Sequence, residues 1–200
     1  MKNKVSITIT TLLSLTLFIG LLPSNATYAR TLEDVTGIPI HFAYDEVDYN
    51  QDYLNGNWSG LGDNGAEMWD TACSEVICNE VSFSTSNLDI VTGDNYDFET
   101  GVIGVTNIFD SDGTNFNDSV SNFDESGETV YASIYLNPDM GSSYSTTLKK
   151  AIICHEVGHV LGLYHPASSS TSSIMSSSIN NSGFKTSIQQ YDKDDISDIY

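Results

Sequence analysis

The sequence predicts an α+β domain in which a series of short strands precedes one long helix and a short terminal one. Two observations carry this expectation. Between residues 38 and 137, apolar residues come in short runs divided by Gly, Asn, Asp and Ser, the pattern of brief strands with tight connections. From residue 145 the spacing becomes helical, and His155-Glu156-Val157-Gly158-His159-Val160-Leu161-Gly162-Leu163-Tyr164-His165 gathers three of the 4 histidines of the chain.

The elements follow in chain order. Lys2 and Lys4 open the sequence, Val5 to Leu22 is mostly apolar, and Ala26 and Ala29 offer small-residue cleavage sites. Residues 1–29 therefore read as a secretory signal peptide. The apolar stretch approaches membrane-spanning length, but Pro23, Ser24, Asn25 and Thr27 have the character of a processing region. Residues 30–200 are of a length for one domain. Ile38 to Tyr44 is expected as a first strand, with Pro39 confining it to an end or an edge. Asn64 to Cys73 is a first helix, because Ala66, Trp69 and Cys73 recur at three-to-four spacing. Val81 to Ser84, Asp89 to Thr92, Val102 to Ile108 and Val130 to Asn137 are further strands. Ser145 or Thr146 can cap the long helix. The Ser-rich stretch 168–178 is expected to be an ordered loop.

The histidine segment carries chemistry. Residues four apart lie on one face of a helix, so His155 and His159 can aim ring nitrogens at one metal ion. Glu156 is rotated about 100° from His155, yet is long enough to reach a water on the open side of the metal, where a general base belongs. Gly162 permits the left-handed turn that ends the helix and brings round His165 as third nitrogen ligand. Three protein ligands leave a fourth position for water.

This segment resembles the zinc-binding signature of the metzincin metallopeptidases, HExxHxxGxxH followed by a methionine turn. Ser173-Ile174-Met175-Ser176 supplies the turn, with Met175 as an apolar floor beneath the imidazoles. Tyr191 to Tyr200 is similar to the closing helix of the matrixin branch. The resemblance is strong over residues 148–200 and diffuse over 36–140. It implies a zincin-like fold: a twisted mixed five-stranded sheet, an active-site helix, and a small C-terminal subdomain closed by a short helix. It also implies an edge strand at Ala132 to Pro138, along which an extended peptide would bind, with Tyr131, Ala132, Ser133, Ile134 and Tyr135 as the contacting residues. His41 is the one histidine outside the motif, so a second, structural zinc is not expected. Ser177 stands where other metzincins place a tyrosine ligand, so a three-histidine site is. No cysteine lies in a latency motif of the matrixin kind.

Composition bounds the partners. Residues 30–200 hold five basic side chains against 27 acidic ones, a net charge of −22, which disfavours nucleic acid and anionic membranes. The segment with Asp110, Asp112 and Asp118 has the oxygen-rich, Gly-broken composition of a calcium loop without the full EF-hand series; a solvated acidic loop is the other reading. Cys73, Cys78 and Cys154 are an odd set for an exported chain. A bridge between Cys73 and Cys78 is possible, and Cys154 is expected as buried filler. The sequence thus leads to a secreted, monomeric zinc endopeptidase with one catalytic zinc, no stable membrane insertion after processing, and protein or peptide substrates. The alternative is a zinc-binding interaction module that cleaves nothing, against which the intact Glu156 argues.

Overall fold

A computed structural model describes residues 16–18, 31–43, 46–61, 65–117, 123–124 and 126–200. Apart from residues 16–18, the expected signal peptide lies outside the described residues. Five strands form the mixed sheet: β3 (Glu46–Asn50), β4 (Ile77–Glu80), β5 (Leu88–Thr92), β6 (Val102–Phe109) and β8 (Tyr131–Leu136). A sixth, β1 (Thr16–Phe18), lies on its outer margin, giving the order β1-β6-β8-β5-β3-β4. β4, β3, β5 and β8 are parallel neighbours, whereas β6 runs antiparallel to β8, and β1 antiparallel to β6. This antiparallel margin abuts the long helix α3 (Thr146–Val160).

Two sequence expectations shift in register. The segment expected as a first strand, Ile38 to Tyr44, supplies only the two residues of β2 (His41–Phe42), which pairs in parallel with β7 (Glu128–Thr129) in a separate two-stranded sheet. The strand expected at Val81 to Ser84 lies earlier, at β4, where Cys78 is buried and Ile77 exposed. Phe83 and Tyr53 instead meet edge to face on the surface, 5.1 Å between centroids.

Helix α1 (Leu32–Thr36) and a 3₁₀ turn at Gly56–Trp58 precede α2 (Gly65–Ala72). α2 packs on α3, and the indole of Trp69 donates to the Cys154 carbonyl at 2.8 Å. This bond satisfies the polar edge of a fully buried ring and fixes one helix against the other. Ser145 caps α3 by accepting from the Leu148 amide at 3.2 Å. From Ala151 to Val160 every residue of α3 is buried, so the helix runs through the core. The chain closes with α4 (Gln190–Ile199), started by a reciprocal capping box between Gln189 and Asp192. All three cysteines are buried free thiols. Burial pushes Cys73 up to about 11 and Cys78 up to about 12, so both remain protonated and unreactive at neutral pH. No helix among the described residues is long and apolar enough to cross a membrane.

Candidate active site

The turn after α3 builds the site. Gly162 has φ 92°, and a side chain there would also overlap the Ile40 carbonyl, so only glycine fits. The Leu163 amide bonds back to the Gly158 carbonyl at 2.9 Å, which turns the Leu163 carbonyl toward the helix, where it accepts from His159 Nδ1 at 2.8 Å. His155 Nδ1 likewise donates to the Ile174 carbonyl at 2.9 Å. A carbonyl can only accept, so both rings carry their proton on Nδ1 and present a bare lone pair at Nε2. The turn then brings His165 into the group, with Nε2···Nε2 separations of 3.2, 3.2 and 3.3 Å.

These distances fit a metal ion. Ligands about 2.0–2.1 Å from a tetrahedral zinc stand about 3.3–3.4 Å apart. His155 and His159 have no proton to share across their gap, so their lone pairs repel unless a cation lies between them. Burial depresses all three imidazoles: His155 falls to about 4, while His159 and His165 fall well below the ordinary value, helped by their neighbours in the cluster. Neutral imidazole is the form that binds metal. Among the described residues, this is the one group of three or more His, Cys, Asp or Glu with converging ligand atoms.

The Glu156 side chain packs against strand β6. Its Oε2 accepts from the Thr106 hydroxyl at 2.6 Å. Its Oε1 is buried and takes no hydrogen bond among the described residues. Burial pushes this carboxyl up to about 8, against the opposing pull of the Thr106 hydroxyl. A group whose proton affinity lies near neutrality is suited to taking and returning a proton.

Met175 is fully buried and packs against α3 at Gly158. It reaches the helix because Gly158, between the two helical histidines, has no side chain: a Cβ there would overlap Met175 Sδ and press on the Trp69 ring. The turn is held from below by Asp192 of α4, whose carboxylate accepts from the Ser173 hydroxyl, from the Ile174 amide at 3.2 Å and from the Gln189 amide at 2.7 Å. One carboxylate therefore fixes Ile174, the residue whose carbonyl orients His155. The sequence reading did not single out Asp192; its signal was the capping-box position at the start of the closing helix. Gly158→Ala tests the Met175 contact. Alanine favours an exposed helix by about 1 kcal/mol over glycine, but overpacking here costs about 1–3 kcal/mol. The expected result is a lower Tm, read by thermal unfolding; a higher one would mean that Met175 does not press on the helix.

The structure corrects the expected substrate edge. Tyr131, Ala132, Ser133, Ile134 and Tyr135 lie on β8, which is paired on both sides, with β5 and β6. An interior strand has no free backbone groups to offer a peptide. Among the five strands of residues 46–136, β6 has the marginal position instead, with only β1 outside it. Its far half is covered by its own following loop, where Phe116 N bonds Ile108 O at 3.0 Å and Asn117 Nδ2 bonds Thr106 O at 2.7 Å. Its near half, Val102 to Val105, is where Thr16–Phe18 pairs.

The calcium expectation fares differently from the zinc one. Asp110 is buried, and its Oδ1 accepts from the amides of Asp112 and Thr114 at 3.0 and 2.8 Å, its Oδ2 from Asp124 at 3.1 Å. These amides direct positive ends at the carboxylate that a cation would need, so Asp110 is a turn anchor. Asp112 is exposed, and Asp118 lies outside the described residues.

The model of one protein family, the matrixin peptidases, matches residues 63–200. No curated protein matches the sequence. A solved structure described as the crystal structure of myroilysin is similar over 90% of this chain and 99% of its own, with 15% sequence identity and a TM-score of 0.44. The family match spans more than half of the chain, including the histidine helix, the methionine turn and the closing helix, and the chain therefore belongs to the matrixin family of metalloendopeptidases.

Proposed function

We propose that this chain is a secreted zinc endopeptidase in which His155, His159 and His165 hold the metal and Glu156 is the general base. The observation that carries the reading is the convergence of three Nε2 atoms at 3.2–3.3 Å, on a helix that also bears, next to His155 in sequence, a buried glutamate with one unengaged carboxylate oxygen. Zinc bound there would supply a Lewis acid that polarises the scissile carbonyl and acidifies water. Glu156 takes the proton at Oε1, the oxygen that Thr106 leaves free, and returns it to the departing amine. The Ile174 and Leu163 carbonyls keep His155 and His159 in the ligating tautomer throughout. Once removal of residues 1–29 frees the edge that Thr16–Phe18 now pairs, Val102 to Val105 of β6 would offer backbone groups to an extended peptide, which would add itself as an antiparallel strand. The excess of acidic groups favours cationic or neutral substrates over acidic ones. Export rests on the sequence of residues 1–29.

Hydrolysis of casein and of a quenched peptide library, with and without phenanthroline, tests this reading. The expected result is cleavage that the chelator abolishes and added zinc restores. Retained zinc without cleavage of either substrate would point instead to a metal-binding interaction module.

A further inference from the structure

We infer that Thr106 is a positioning residue for Glu156, fixing which of its two carboxylate oxygens does the proton transfer. The inference rests on the reading of Glu156 as general base. Thr106 is fully buried on β6, the strand against which α3 packs. Its hydroxyl hydrogen lies 2.6 Å donor-to-acceptor from Glu156 Oε2, with the Glu156 carbonyl a longer second acceptor at 3.2 Å. A hydroxyl has one hydrogen, and the short bond to the carboxylate takes most of it.

The consequence is a division of labour within one side chain. Oε2 is committed to Thr106, so Oε1 alone is left to receive a proton. Strand β6 shapes the space for Oε1 as well: Gly104 lies two residues before Thr106, on the same face of the strand, and a Cβ there would come within 2.6 Å of Oε1 and 2.9 Å of the carboxyl carbon. The carboxylate is thus held by a donor at one oxygen and given room by a missing side chain at the other. Glutamate has three side-chain torsions and, unanchored, would spread over several rotamers. A misplacement of about 1 Å in a reacting group costs on the order of 10²-fold in rate.

The hydroxyl could also be a satisfied polar group that merely joins helix to sheet, and the test separates the two roles. Thr106→Val keeps the shape and removes the donor; Thr106→Ser keeps the donor. On the zinc-loaded protein, Thr106→Val is expected to lower kcat by roughly 10- to 100-fold with KM nearly unchanged. Thr106→Ser should return kcat to within a few-fold of the parent, and zinc content should equal that of the parent in both. Thr106→Ala removes the donor without a second methyl against the helix, so it must show the same kcat loss and decides the matter should the valine variant not fold. Unchanged kcat in the alanine and valine variants, or a serine variant as impaired as they are, overturns the assignment.

A readout independent of turnover is the Tm of the metal-free chain in a double-mutant cycle. Thr106→Val should lower Tm when Glu156 is present, and should leave it unchanged or raise it in the Glu156→Ala background, where the hydroxyl has lost its short acceptor. Equal losses in both backgrounds would show that Thr106 does not act through Glu156. If the parent cleaves no peptide at all, the reading as a protease has failed, and this cycle still decides whether Thr106 holds Glu156.

Discussion

Glu156→Ala should cut kcat by about 10²- to 10⁴-fold, the usual worth of a general acid–base group, while zinc content stays at the parental level. The two helical imidazoles keep their partners in this variant: His155 on Ile174 O, His159 on Leu163 O. Loss of kcat and kcat/KM in equal measure would mark an interaction made only in the transition state. Activity comparable to the parent would mean that another base operates. The same substitution has a signature in the metal-free chain. Burial raises the Glu156 carboxyl from its ordinary 4.5 to about 8, so between those values the folded state binds more protons than the unfolded one. Stability must then fall as pH rises through this window. Glu156→Ala should lack that component, so the difference in denaturation midpoint between parent and variant should drift in the variant's favour from pH 4.5 to pH 8. A difference independent of pH would show that the carboxyl ionises normally in the folded chain.

The histidine helix was legible in the sequence because its geometry is local. Two residues four apart on a helix share a face whatever the rest of the chain does, and Gly162 announces the turn by the one conformation it tolerates and others do not. Met175 was legible for a related reason, as the apolar residue within a stretch of serines. The sheet order was not, because period-two alternation gives the faces of a strand but not its neighbours. β6 and β8 both read as short apolar runs. β6 even looks the more interior of the two, with Val102 to Ile108 all buried, because α3 covers one face and the loop at Asn115 to Asn117 covers part of its outer edge.

Thr106 had no signal at all. Threonine is an ordinary strand former, and nothing in Gly104-Val105-Thr106 says that a carboxylate fifty residues later will lie against it. The acidic loop failed in the opposite sense, by offering a signal with two meanings. Aspartate two residues before another aspartate and three before a glycine suits a cation site, and it equally suits a carboxylate that folds a turn on its own amides. Asp110 has the second role, with its oxygens aimed at Asp112, Thr114 and Asp124. Composition cannot separate these, since in both cases the chain must bend around a negative charge.

Replacing one histidine should remove most of the bound metal, and the three sites should not respond alike. A three-nitrogen chelate loses its closure when any ligand goes, so His155→Ala, His159→Ala and His165→Ala should each fall from close to one zinc per chain to a small fraction after dialysis against a mild chelator. The two helical histidines are fully buried and locked through Nδ1 to main-chain carbonyls. Outer partners of this kind are worth roughly 10- to 100-fold in metal affinity. His165 follows the turn and is the least buried of the three. His165→Ala should accordingly retain more zinc than the other two. Metal analysis gives the stoichiometries, and a zinc titration of Tm gives the ranking, since binding to the folded state alone stabilises by RT ln(1 + [L]/Kd). The parent should gain several degrees in zinc, His165→Ala less, and His155→Ala and His159→Ala least. Full retention in all three variants would mean that the metal is bound elsewhere. A reversed ranking would mean that the turn after Gly162, rather than the helix, is the rigid part of the site.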